Sequence, residues 1–201
     1  MTESRPALVF DYDGVIADTE PLHWKSWAVL LARYGIELTW EEYCRVGQGV
    51  SDAELFEYFG ARMLPRDREE FISQNCERKQ MVLEWSIIRS PISAGTIQLL
   101  KSLTDYRVGL VTSSQREDVE PVLRAAGVYD RFDAMVFGGE PKEPKPSPAP
   151  YLLIAERLGV KTGVAFEDSE PGLASALAAG FKAIRITRPG DLEEAVAQWT
   201  R

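Results

Sequence analysis

Ala7-Leu8-Val9-Phe10-Asp11-Tyr12-Asp13-Gly14-Val15-Ile16-Ala17-Asp18-Thr19-Glu20 is the stretch around which the rest of the chain can be ordered. Ala7 to Phe10 form a short apolar run of the kind that makes a buried strand, so Asp11 arrives where that strand leaves its sheet. Side chains alternate along an extended backbone, which puts Asp11 and Asp13 on one side and Tyr12 on the other, while Gly14 permits a sharp turn. Two carboxylates held so close repel unless a cation or a proton separates them. One can then act as nucleophile and metal ligand while the other moves protons. Asp-x-Asp-Gly is also an ordinary turn former, so the remaining chain has to decide between the two readings.

The 201 residues, 45% hydrophobic with both charge signs mixed, suffice for one ordinary core and a small second domain. A net charge of -8 opposes non-specific binding to nucleic acid or to an anionic membrane. A small substrate is expected instead of a polyanion. Cys44 and Cys76 lie far apart, there is no Cys-x-x-Cys pair and only one histidine, so neither a zinc site nor a disulfide framework is indicated. Both thiols are expected to be free and at least partly buried. No leader segment and no apolar run of about 18 residues is present, which fits a cytoplasmic protein.

Helical periodicity runs from about Asp18 to Trp85. Trp24, Trp27, Leu31 and Tyr34 recur on one face of a first helix that Gly35 ends. Thr39-Trp-Glu-Glu42 and Ser51-Asp-Ala-Glu54 match the capping box, with Gly47-Gln48-Gly49 between the helices they open. A longer helix is expected over 65–85, with Phe71, Ile72, Cys76, Met81 and Leu83 on its apolar stripe. The aromatic residues read as packing, and Arg78 and Lys79 as solvated surface.

From about Ser90 strands and helices alternate. Strands are expected at 107–111, 134–137, 163–166 and 182–187, with helices at 93–103, after the capping box Ser114-Gln-Arg-Glu117, from Ser147 to Gly159, from Pro171 to Gly180 and from Asp191. Such alternation implies a parallel sheet covered by helices on both faces, a doubly wound α/β core. In such sheets ligands bind beyond the carboxyl ends of the strands. Those ends carry Asp11 to Asp13, Thr112 to Ser114, the loop from Gly138 to Lys145, and Glu167-Asp168-Ser169. Taken singly, Ser114 and Ser169 read as helix caps and Lys142 as solvated. Their shared location asks for more.

The string Asp11 to Glu20 closely resembles the first motif of the haloacid dehalogenase-like superfamily, in the branch of beta-phosphoglucomutases and small-molecule phosphatases. Thr112 matches that family's phosphate-binding Ser/Thr, Lys145 in Lys-Pro-Ser-Pro-Ala-Pro-Tyr its lysine, and Glu167-Asp168-Ser169 its acidic fourth motif. The resemblance implies a Rossmann-like core, here residues 1–15 and 90–201, and an α-helical cap domain, residues 16–89, inserted between the first two motifs. It also implies hinges near 15–18 and 85–91.

Implied in the same way is a phosphatase for a small phosphorylated metabolite, such as a sugar phosphate, acting through an aspartyl-phosphate. Asp11 would be the nucleophile and Asp13 the acid and base. Mg2+ would be held by Asp11, Asp168, the Asp13 backbone carbonyl and Glu167, the last directly or through water. Thr112, Ser113 and Lys145 would bind the phosphoryl group. His23 matches a histidine of the mutases and is a substrate-side candidate. Hydrolytic dehalogenases lack the second aspartate and use no magnesium, so Asp13 and the Glu167-Asp168 pair point to phosphoryl transfer. A phosphomutase remains the alternative: Gly49-Val50-Ser51 matches the mutase cap loop, but Asp52 stands where those enzymes place an arginine. A catalytically silent phospho-ligand or protein-binding relative is the third reading. A monomer is the working expectation, with an oligomer left open.

Overall fold

The structure is a computed structural model and describes residues 5–47, 50 and 52–200. Gln48, Gly49 and Ser51, and with them the second capping box and the loop of Gly49 to Ser51, lie outside the described residues. The chain divides into two compact units, residues 1–18 with 90–201, and residues 19–89. The boundary thus falls a few residues later than the expected 15/16. Asp13 and Ala17 bridge each other and Ala17 bridges Ile92, with the Asp18 amide donating to the Pro91 carbonyl at 3.0 Å, so the turn after Asp11 stays with the sheet.

The first unit is built on β1 (Ala7–Phe10), β2 (Arg107–Val111), β3 (Ala134–Val136), β4 (Val164–Glu167) and β5 (Lys182–Arg185). These form one sheet in the order β3-β2-β1-β4-β5, every neighbouring pair parallel. The expected doubly wound α/β core is therefore present, and β1 lies at its centre because apolar side chains cover it on both faces. Ala7 and Val9 join Val111, Ala165, Tyr151 and Ile154 in one buried cluster. On the opposite side of the pleat Phe10 stacks on Phe166 with ring centroids 5.0 Å apart.

The connecting helices are α6 (Ala94–Ser102), α7 (Arg116–Ala125), α8 (Ala149–Leu158), α9 (Glu170–Ala178) and α10 (Leu192–Ala197). The α8 helix packs on β2 and β3 and α9 on β4 and β5. Ser93 caps α6 by accepting the Thr96 amide at 2.9 Å, and Ser169 caps α9 by accepting that of Gly172 at 3.2 Å. The cap expected at Ser114 is absent: α7 starts from Gln115 with no side-chain cap, because the Ser114 hydroxyl is used elsewhere.

The second unit contains α1 (Glu20–Ala32), α2 (Trp40–Val46), α3 (Asp52–Gly60), α4 (Pro65–Ser73) and α5 (Asn75–Ile88). Thr39 caps α2 by accepting the Glu42 amide at 3.1 Å, while the Glu42 carboxylate turns to Arg62 at 2.6 Å and leaves the box half made. Trp27 lies against Phe56 and Phe71, with centroids 4.7 and 6.2 Å away, so the aromatic face is packing.

Four expectations fail here. The helix over 65–85 is broken at Gln74, which ends α4 and starts α5. The polar run Ser73-Gln74-Asn75 favours local side-chain bonding over helix continuation, and Gln74 donates to the Tyr34 hydroxyl at 3.0 Å. Only Phe71 of the supposed stripe is fully buried, and Ile72 is 57% exposed. Cys44 and Cys76 are free but exposed. Arg78, read as surface, is 0% exposed: its guanidinium lies 4.5 Å from the Trp27 ring and pairs with Asp52 at 2.5 Å. A guanidinium can enter a core where an aromatic face and a carboxylate both await it.

Candidate active site

Four strand ends meet above β1. Asp11 follows β1 and is 6% exposed, with its amide donating to the Phe166 carbonyl at 3.0 Å. Lys145, from the loop that precedes α8, donates to Asp11 Oδ1 at 2.6 Å and to the Val111 carbonyl at 3.1 Å. Its Nζ is also 2.6 Å from Glu167 Oε1, so one nearly buried ammonium lies between two carboxylates. Such a charge pair is stable in a low-dielectric setting only if its remaining valences are met.

Asp11, Glu167 and Asp168 each offer an oxygen within 4.8 Å of the others. Gly14 holds φ +74°, a left-handed turn that suits glycine, and a Cβ there would stand 2.2 Å from Asp168 Oδ2. The turn thereby lets the Asp168 carboxylate close over the motif. Glu167 Oε2 is buried and accepts no hydrogen bond from the described residues.

Three carboxylates around one ammonium leave an excess of negative charge. Burial lifts the pKa of Asp11 well above the ordinary aspartate value, against the pull of Lys145. Burial, with the Glu167 charge second, pushes Asp168 up to about 6. Lys145 is pulled down by burial, but Asp11 and Glu167 outweigh it and hold the ammonium more firmly than in water. An all-oxygen donor set, a buried oxygen in want of a donor and carboxylates with raised pKa values fit a hard divalent cation.

The Asp13 carboxylate is not one of the three whose oxygens cluster, although its charge helps to raise Asp11 and Asp168. Its Oδ2 accepts the Ser114 hydroxyl at 2.6 Å. Thr112, 4% exposed, accepts the Ser114 amide at 3.0 Å and joins Ser113, Gly138, Lys142 and Lys145 around a cavity of about 410 Å³. Lys142, read as solvated, is exposed at that rim. His23 lies in the helical unit, half-buried on α1.

Two residues with direct lines to the site carry no role there in the sequence reading. Ser114 was hidden by an equally good capping pattern. Tyr151, whose hydroxyl donates to Glu167 Oε1 at 2.6 Å, was in view within the lysine motif. A tyrosine on the inner face of a helix needs a partner for its hydroxyl, and that was the available signal.

Residues 8–186 match the profile of the haloacid dehalogenase-like hydrolases. A phosphorylated carbohydrates phosphatase of Thermotoga maritima is 33% identical over 181 residues, 89% of this chain and 83% of the relative. The fructose-1-phosphate phosphatase YqaB of Escherichia coli is 30% identical over 197 residues, 92% of this chain and 98% of the relative. The solved beta-phosphoglucomutase of Clostridium difficile shares the fold with a TM-score of 0.69 at 22% identity, covering 96% of each chain. With the four strand-end motifs converging on one another, the chain belongs to the haloacid dehalogenase-like hydrolases, in their beta-phosphoglucomutase-like branch, and is a phosphoric monoester hydrolase.

Proposed function

We propose that the protein hydrolyses a phosphorylated carbohydrate through a phosphoryl group carried transiently on Asp11, with Mg2+ in the site formed by Asp11, Glu167, Asp168 and the Asp13 carbonyl. The observation that carries this reading is the single cluster of Asp11, Lys145, Glu167 and Asp168, drawn from three strand ends. The named activities of the Thermotoga maritima and Escherichia coli relatives support the substrate class.

A divalent cation there supplies positive charge that offsets the repulsion between a carboxylate and a phosphate monoester. A carboxylate oxygen of Asp11 forms a bond to phosphorus while the bond from phosphorus to the sugar oxygen breaks. Asp13 gives its proton to that departing oxygen. It then takes a proton from water, whose oxygen bonds to phosphorus as the bond to Asp11 breaks, returning the Asp11 carboxylate and free phosphate. Lys145, the Thr112 hydroxyl and Ser113 hold the phosphoryl oxygens as charge builds on them. His23 is a candidate for a contact with the sugar.

Asp52 is committed to Arg78, which weighs against the phosphomutase alternative, where an arginine would be needed at that place. Two free thiols fit a reducing, cytoplasmic setting. No helix among the described residues is long and apolar enough to cross a membrane.

The test is phosphate release from a panel that includes fructose 1-phosphate and both anomers of glucose 1-phosphate, with Mg2+ and with chelator. Release that needs the cation, together with a hydroxylamine-sensitive phosphorylated protein, is the expected result. Turnover that persists fully in chelator, or no turnover of any sugar phosphate, overturns the proposal.

A further inference from the structure

The Glu167 carboxylate is wedged between two residues that neither charge nor hydrolysis explains. Tyr151 sits in the first turn of α8 and is 0% exposed, with its ring 5.4 Å from that of Phe181. Phenylalanine would satisfy that packing. A buried hydroxyl costs free energy unless it is hydrogen-bonded, and this one spends its single proton on Glu167 Oε1 at 2.6 Å. Lys145 approaches the same oxygen at 2.6 Å. On the other side Gly172, in the first turn of α9, shows its bare Cα: a Cβ there would lie 1.9 Å from Glu167 Oε2 and 2.3 Å from the carboxylate carbon.

We propose that Tyr151 is a positioning residue whose hydroxyl, with the bare Cα of Gly172, forms a slot that fixes the Glu167 carboxylate for divalent cation binding. The inference rests on the reading of Asp11, Glu167 and Asp168 as the cation site. Glu167 cannot swing away from Tyr151 without losing the hydrogen bond, nor toward α9 without meeting backbone. By sharing Oε1 with Lys145, the tyrosine also meets part of that oxygen's demand and leaves the ammonium to Asp11. Residues that orient metal ligands in this way alter affinity without touching the metal.

The experiment is calorimetric titration of the metal-free protein with Mn2+ and Mg2+, read apart from turnover, for wild type, Tyr151→Phe and Gly172→Ala. Tyr151→Phe keeps the ring and is expected to weaken cation affinity about tenfold. Gly172→Ala adds a better helix former to α9, yet should weaken affinity at least as much by displacing the carboxylate. Melting temperatures of the metal-free variants report the fold separately, and if either variant fails to fold the other decides. Wild-type affinity, within about twofold, in whichever variants fold overturns the inference and leaves the proposed function standing. A wild-type protein that binds neither cation overturns both.

Discussion

The Ser114 hydroxyl donates to Asp13 Oδ2 at 2.6 Å, tying the loop after β2 to the turn after β1. A general acid must present its proton along one direction, and an exposed aspartate would sample several. Ser114→Ala should lower kcat about tenfold, with KM changed less than about threefold, since proton transfer by a positioned side chain contributes about 10²–10⁴. Steady-state kinetics on a sugar phosphate decide it. An equal rise in KM with kcat intact would assign the serine to substrate binding instead.

Asp11→Asn should fold and lose turnover by at least about a thousandfold, because an amide oxygen is a poor nucleophile. Burial already penalises the ionised form of this carboxyl, so neutralising it relieves one charge in a crowded trio. Phosphate release and circular dichroism in parallel would show it. Activity near wild type would remove Asp11 from the reaction.

Removal of the Lys145 ammonium should act in the opposite sense. Lys145 is 8% exposed at its side chain and faces Asp11 and Glu167 together. Lys145→Met leaves two nearly buried carboxylates facing each other and should cost about 3 kcal/mol of stability in the metal-free protein. Divalent cation should restore part of the loss. Urea unfolding with and without Mg2+ measures both, and a variant as stable as wild type in chelator would refute the expectation.

The acid limb of cation binding should follow the carboxyls whose pKa values burial raises, Asp168 among them. The Asp168 pKa of about 6 in the fold is above the ordinary aspartate value, so the fold binds a proton that the unfolded chain releases between about 4 and 6. The associated stability is fully present below pH 4 and is lost as pH rises through about 6. Asp168→Asn should therefore raise the melting temperature of metal-free protein at pH 7.5 and change it little at pH 4. Cation affinity of the wild type should fall as pH drops through 6. A cation affinity flat from pH 7.5 to 5 would count against this assignment.

In the helical unit the pair Asp52 and Arg78 should govern stability. Asp52→Arg places a second cation beside a fully buried guanidinium and should cost about 2 kcal/mol or more, Asp52 being partly exposed. Melting curves test it, with Lys79→Ala, a side chain 3.9 Å from Asp52 and 46% exposed, as a near-neutral companion. An Asp52→Arg protein of wild-type stability would show that Arg78 relies on its other contacts.

The core was legible because its signals are local. A four-residue apolar run followed by Asp11 declares a buried strand and its end, and β1 spans Ala7–Phe10 as read. The lysine loop and Glu167-Asp168 were found by the same rule of strand ends. The helical unit is less legible, since short helices there carry weak periodicity. The break at Gln74 depends on where a side chain finds a partner, and Arg78 is buried only because Trp27 and Asp52 converge on it.

By itself the sequence determined which residues stand at strand ends, because strand length, side-chain alternation and glycine positions are properties of a few neighbouring residues. Tertiary structure alone decided which of two hydrogen bonds a polar group makes. Ser114 had a capping amide close in sequence and an aspartate 101 positions away, and took the aspartate. Tyr151 and Gly172 likewise acquired their meaning only when α8 and α9 closed on Glu167 from two sides, since a hydroxyl or a bare Cα has no function until folding brings it within contact of a carboxylate.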